Sequence, residues 1–297
     1  EMLTDDGILD RNIYEDIDWG SGDYVDYEKV YNNRFTVLHE AYKNYRQKLS
    51  ESRVKLAAGL PEYKKFDNFN KTNAYWLDDY ALFMALKWHF NQKSWQDWDE
   101  DIKFRTQKGM QKYKELLADE IGFWKFVQYE FDKQWKKLKE YANENNVDII
   151  GDIPIYMGLD SSDVWADAGE FLLDENLTPV KVAGVPPDAF SELGQKWGNP
   201  LYDWNKMEAN GFRWWRARMA HSAELYDVIR IDHFIGIVEY YTIPADMPDA
   251  RQGSYEQGPG QKLLDVINEA IGDKKIIAED LGVSLPEVDV ILRENNY

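Results

Sequence analysis

The sequence predicts an α/β fold, with a long helical part first and parallel strands after it. Two observations carry this. Residues 1 to about 143 place apolar side chains at three- and four-residue steps and show no clear strand. In the second half, three short apolar runs each end in an acid: Asn146-Val-Asp-Ile-Ile-Gly-Asp152, Tyr226-Asp-Val-Ile-Arg-Ile-Asp232 and Lys274-Lys-Ile-Ile-Ala-Glu279. Val and Ile favour an extended, packed backbone. Helical stretches at about 211–225 and 261–271 precede the second and third runs, in the β-helix-β order that a parallel sheet requires. In a parallel α/β barrel all strand C-termini open onto one face, which holds the active site. Three acids at equivalent strand ends therefore point to one shared pocket.

The elements follow in order. Glu1 to about Ser21 is short and turn-rich. A helix starting near Asp23 or Asp26 carries Tyr31, Phe35, Leu38, Tyr42, Tyr45 and Leu49. Gly59-Leu-Pro61 breaks the pattern. A second helix spans about Asn73 to Phe90, with Trp76, Tyr80, Phe83 and Met84 on one side. Ser94 to Glu100 reads as a polar, aromatic connection. Two more helices follow, the last marked by Trp124, Val127, Phe131, Trp135, Leu138 and Ala142. The first strand is expected over Val147–Gly151, with Pro154 stopping any ladder. Ser161-Ser-Asp163 is a helix start with a Ser or Asp cap. Gly184 to Trp204 is rich in Gly and Pro and is expected to be irregular over most of its length. Loops this long are usually lids or binding loops. Its aromatics could stack on a ligand or pin the loop to the surface. Gly253–Gly260 reads as a loop, and a last helix lies near Tyr297.

Composition narrows the functions. The chain has 297 residues, 44% hydrophobic and 30% charged, which fits a globular protein and excludes a disordered one. The net charge of -19 disfavours nucleic acid and anionic membranes as partners, but leaves neutral substrates such as sugars unaffected. There is no cysteine, hence no disulfide or thiolate metal site. His39, His89, His221 and His233 show no metal-ligand spacing. No apolar run approaches the roughly 20 residues of a membrane span. A cytoplasmic location is expected. The chain opens on Glu1 rather than Met and is expected to be a piece of something longer. Aromatics reach 15%, most of them expected in the core and a few in a site where sugar rings could pack.

Arg230 and Asp232 lie two positions apart and share a strand face. A cation there would keep Asp232 ionised and in place, as a nucleophile requires. Taken alone, the pair reads more simply as a salt bridge at a strand end.

Five motifs occur in order: Gly151-Asp152-Ile-Pro154-Ile-Tyr156, Gly184-Val-Pro-Pro-Asp188, Gly194-Gln-Lys-Trp197-Gly-Asn199-Pro200-Leu-Tyr202, Arg230-Ile-Asp232-His233-Phe234 and Ala278-Glu279-Asp280-Leu-Gly282. Together they resemble the 4-α-glucanotransferases (amylomaltases, or disproportionating enzymes) of glycoside hydrolase family 77. The resemblance is firm over residues 146–297. It is less specific before them, where the helices fit the family's inserted subdomains.

The resemblance implies a (β/α)8 TIM barrel. Residues 1–143 would be a mainly helical insertion subdomain. Residues 144–297 would be part of the barrel, about strands three to five, with a substrate loop at about 184–204. It implies transfer of α-1,4-glucan segments between malto-oligosaccharides through a covalent glucosyl-enzyme, without metal or other cofactor. Asp232 would be the nucleophile and Glu279 the general acid/base. Arg230 and His233 would surround the reacting sugar, and Asp152 would hold donor hydroxyls or the local hydrogen-bond network. Asp188, Trp197, Asn199 and Asp280 complete the implied substrate-binding set. Retaining chemistry needs two carboxyl groups roughly 5–5.5 Å apart, one ionised and one protonated. Arg230 suits Asp232 to the ionised role, and Asp232 and Asp280 could keep the proton on Glu279.

The sequence departs from the family pattern in two ways. Ile235 stands where Arg is usual. The first-strand His-Pro-Thr-Ser type motif, the early aromatic sugar-binding loop and the later His-Asp-Asn carboxylate are not in this stretch. Three strands cannot close a barrel, so residues 1–297 alone are expected to be inactive or very weak. The alternatives are an amylase-type α-glucan hydrolase and a non-catalytic glucan-binding fragment. The sequence assigns no oligomeric state.

Overall fold

The apolar steps of the first half become helices in the computed structural model, which describes residues 2–55, 61–279 and 285–297. Residues 1–91 and 107–133 form one compact unit, and 92–106 with 134–297 a second. A single cut near residue 143 differs from this division, because helix Ala118–Glu144 runs on past residue 133 and residues 92–106 group with the second unit.

In the first unit, helices Tyr27–Lys55 and Ala74–His89 and the start of Ala118–Glu144 share a core. Ala41, Tyr42, Tyr45, Ala81, Phe123 and Phe126 are buried in it, and Phe35, Leu38 and Leu49 pack against it. Small Ala side chains let the helices approach, and the aromatics fill the rest. Helix Pro61–Thr72 was not expected. Pro61 opens that helix, where its missing N–H costs nothing; Gly59 lies outside the described residues. Phe131 and Leu138, expected on the inward face of the last helix, are half exposed. Among the described residues no helix is long and apolar enough to cross a membrane.

The second unit holds both sheets. The connection at Ser94 to Glu100 is part of its core: Trp95 and Trp98 are buried, and Trp95 Nε1 donates to the Leu159 carbonyl at 2.7 Å. Strands β1 (Ile150–Pro154), β4 (Val228–Asp232) and β7 (Lys275–Ala278) form a parallel sheet in the order β1-β4-β7. β1 begins three residues later than expected and includes Pro154, which pairs with Asp232. Pro154 is tolerated as the last residue of β1, which lies at the edge of this sheet among the described residues. Side chains alternate across the sheet. Ile153, Ile229, Ile231 and Ile276 are buried on one face, while Asp152, Arg230 and Ile277 align in register on the other. Helices Arg213–Leu225 and Gln261–Ile271 lead into β4 and β7. Ser161 caps helix Ser162–Ala166, its Oγ accepting from the Val164 N–H.

The second sheet corrects two expectations. Strands β2 (Lys181–Val185), β3 (Gln195–Pro200), β5 (Glu239–Pro244) and β6 (Ser254–Gln257) form an antiparallel sheet in the order β3-β2-β5-β6. Within the stretch from Gly184 to Trp204, residues 184–185 and 195–200 are therefore strand, and the irregular part is mainly the loop 186–194 that joins them. Gly184 does not break β2 but allows it to pack: a Cβ there would lie 2.1 Å from the Gln195 carbonyl oxygen and 2.5 Å from Ile243 Cδ1. β6 lies within the Gly253–Gly260 stretch that reads as a loop, paired with β5. Val182, Tyr241, Ile243 and Ala250 form this sheet's own small core.

Candidate active site

The parallel register brings the three acids together. Asp152 and Arg230 are direct cross-strand partners, and the Glu279 N–H donates to the Ile231 carbonyl at 3.0 Å, continuing the ladder just past β7. Arg230 is the hub. Its Nη1 donates to both oxygens of Asp152 at 2.7 Å, and its Nη2 to Glu279 Oε1 at 2.8 Å. Nη2 also lies 3.2 Å from Asp232 Oδ1. One guanidinium thus orders three carboxylates, a task its planar fork suits better than a lysine would.

His233 adds a backbone contact. It takes a left-handed conformation (φ 55°, ψ 48°), uncommon for a non-glycine residue, and its N–H donates to Glu279 Oε2 at 2.7 Å. The ring packs edge-on to Trp197 with centroids 4.9 Å apart, and Trp197 lies 6.3 Å from Tyr156. Burial pulls the His233 imidazole below its usual pKa, so the ring beside this acidic group is neutral at pH 7.

Asp232 and Glu279 both lie against Arg230 Nη2, at 3.2 and 2.8 Å, and their titrations are linked. Loss of solvent pushes the Asp232 carboxyl up, and the hydrogen bond and charge of Glu279 push it further, against the pull of Arg230. The His233 N–H holds Glu279 below the ordinary carboxylate range, helped by its bond to Asp232 and by Arg230. The two carboxyls therefore titrate together, Asp232 above and Glu279 below the ordinary carboxylate range. Arg230 gives its strongest contacts to Asp152 and Glu279, and the His233 amide cannot be read from residue types.

The other candidates divide. Trp197 stands beside His233 and remains partly exposed. The Asn199 amide is used on the backbone, Nδ2 donating to the Met157 carbonyl at 2.9 Å. Asp188 shapes its own turn, Oδ1 accepting from the Phe190 and Ser191 N–H groups. Its bonds are local and do not reach the acids. Asp280 lies outside the described residues. Tyr156 was not singled out for the site, although it ends the Gly151–Tyr156 motif; its aromatic ring two residues past the strand end was the available signal. Among the described residues no group of three or more His, Asp or Glu side chains is arranged to hold a metal ion.

A parallel β/α sheet with its acids at the C-terminal rim, joined to a helical N-terminal part, places the chain in the β/α-barrel class. Comparison narrows the class. The family model of the 4-alpha-glucanotransferases, glycoside hydrolase family 77, matches residues 2–297, and the chain belongs to that family. It is 46% identical over 284 residues to the 4-alpha-glucanotransferase of Clostridium butyricum, covering 95% of this chain and 56% of the relative. With the enzyme of the same name from Thermus thermophilus it shares 42% over 267 residues, covering 90% and 52%. The structure of amylomaltase from Streptococcus agalactiae in complex with acarbose superposes with a TM-score of 0.89 at 36% identity, covering all of this chain and 58% of that one. The chain thus spans little more than half the length of these relatives.

Proposed function

We propose that the full-length protein transfers α-1,4-glucan segments between malto-oligosaccharides by a retaining double displacement, with Asp232 as nucleophile and Glu279 as general acid/base. The observation that carries this reading is that both carboxyl groups meet the same Arg230 nitrogen at the rim, at 3.2 and 2.8 Å. The relatives' shared name and the acarbose complex of a similar protein support the substrate class.

The geometry suggests how the reaction starts. A retaining pair works at roughly 5–5.5 Å, with the sugar between its members. A donor sugar entering between Asp232 and Glu279 would meet both carboxyl groups. The pair's proton then goes to Glu279, which faces the glycosidic oxygen, and Asp232 is left ionised beside Arg230. The Asp232 carboxylate attacks the anomeric carbon while Glu279 protonates the leaving oxygen. In the second step Glu279 takes the proton of an acceptor hydroxyl, whose oxygen displaces Asp232. Transfer needs that hydroxyl to outcompete water, and the wall of Trp197, His233 and Tyr156 favours a sugar face over solvent.

Incubation with maltotriose tests the proposal. Glucose together with maltotetraose and longer products is expected. Reducing ends without longer products would establish hydrolysis instead. Asp232→Asn should lower transfer by about a thousandfold or more; a variant that keeps wild-type transfer would remove Asp232 from the nucleophile role.

A further inference from the structure

The end of β1 is held by side chains that the proposed reaction does not use. Pro154 closes the strand, and the chain continues as Ile155-Tyr156-Met157. Ile155 and Tyr156 are only 2% and 7% exposed, whereas Pro154 lies at the surface. The carbonyls of this segment are taken up by side chains. Arg218 Nη2 donates to the Pro154 carbonyl at 2.7 Å, the Tyr202 hydroxyl to Ile155 at 2.6 Å and Asn199 Nδ2 to Met157 at 2.9 Å.

Arg218 stands apart from the other two. Its guanidinium packs on two indoles, 5.2 Å from the ring centroids of both Trp214 and Trp215. Its Nη1 is buried without a hydrogen-bond partner, and burial pulls the group below its ordinary pKa. The nearby Asp163 accepts from Trp214 Nε1 instead. Arg218 as a whole is half-buried, its bond to Pro154 lies near the surface, and the Tyr202 hydroxyl and Asp163 both favour its charge. Tyr202 and Asn199 do the same work with neutral donors. What arginine adds is a planar fork, locked between two rings, that fixes its acceptor in space. Two residues before that acceptor is Asp152, bonded to Arg230. Two residues after it is Tyr156, whose ring stands beside Trp197.

We propose that Arg218 is a positioning residue for donor-sugar binding: by clamping the Pro154 carbonyl it sets Asp152 and the Tyr156 ring in one geometry at the rim. The kinetic part of this proposal rests on the glucan-transfer reading; the structural part does not.

Arg218→Met keeps the apolar packing and removes the clamp, and Arg218→Lys restores a donor. In the full-length protein, Arg218→Met should raise KM for maltotriose about tenfold or more while kcat changes less than about threefold. Arg218→Lys should recover most of the lost affinity. Hydrogen exchange at the Ile155–Met157 amides should quicken about tenfold in Arg218→Met, with helix Arg213–Leu225 unchanged. The proposal is overturned if KM stays within about twofold of wild type, or if the faster exchange spreads through that helix as general loosening. If the wild type makes no longer products from maltotriose, the transfer reading fails, and the exchange measurement alone decides the clamp.

Discussion

At the scale of single residues, the site is governed by how one cation is divided among three acids. Arg230 contacts Asp152 and Glu279 at 2.7 and 2.8 Å and Asp232 at 3.2 Å. Arg230→Ala removes that cation, which favours the protonated form of every carboxyl facing it. The alkaline limb of the kcat/KM profile should therefore move to higher pH, with kcat/KM down about a hundredfold or more at neutrality. An alkaline limb that stays in place would show that Arg230 does not set the proton's affinity. Much of this cluster was legible in the sequence. Asp152, Asp232 and Glu279 were found because each ends an apolar run, and Arg230 because it shares a strand face with Asp232. The backbone contact to Glu279 was not legible. It depends on the left-handed turn at His233, which aims a backbone N–H at Glu279 and leaves no mark in residue type.

At the scale of elements, the same reading succeeded where a run is uniform and failed where Gly and Pro serve packing. The parallel strands are Ile-rich and helix Gln261–Ile271 carries Leu, Val and Ile, and these stood out. β2 and β3 did not: β3 is Gln-Lys-Trp-Gly-Asn-Pro, without alternation, and Gly184 sits in mid-strand. Gly184→Ala puts a methyl against the Gln195 carbonyl and should cost about 2–3 kcal/mol by urea unfolding, with the loss centred on the hairpin. A change under about 0.5 kcal/mol would mean that β3 moves aside freely. The opposite end of the parallel sheet holds a second test. Asp227 Oδ2 accepts from the Ile149 N–H and Asn143 Nδ2, both at 2.9 Å, and Lys139 Nζ lies 3.4 Å from Oδ1. Burial alone would raise the Asp227 carboxyl, but these contacts outweigh it and hold it below the ordinary range. A folded pKa below the unfolded one stabilises above the unfolded value, and that gain is lost as pH falls through the folded value. Asp227→Asn should thus cost about 1–2 kcal/mol at pH 7, and the difference from wild type should shrink as pH falls below the ordinary carboxylate range. A gap that stays constant with pH would assign the effect to shape rather than charge.

At the scale of the whole molecule, the net charge of -19 sets the long-range field. A neutral oligosaccharide is not steered by it, so kcat/KM on maltotriose should change less than about twofold between roughly 20 and 300 mM salt. A steep salt dependence would point to a charged substrate. The same field acts between copies of this chain. Among the described residues no strand pairs with the outer edges of β1 and β7, and Ile150 and Ile277 are 56% and 42% exposed on the acid-bearing face. Bare edges beside greasy side chains are templates for sticking. Prepared alone, this stretch is therefore expected to stay dispersed in dilute buffer and to clump once electrolyte collapses the ionic atmosphere around it, which light scattering against salt concentration would read.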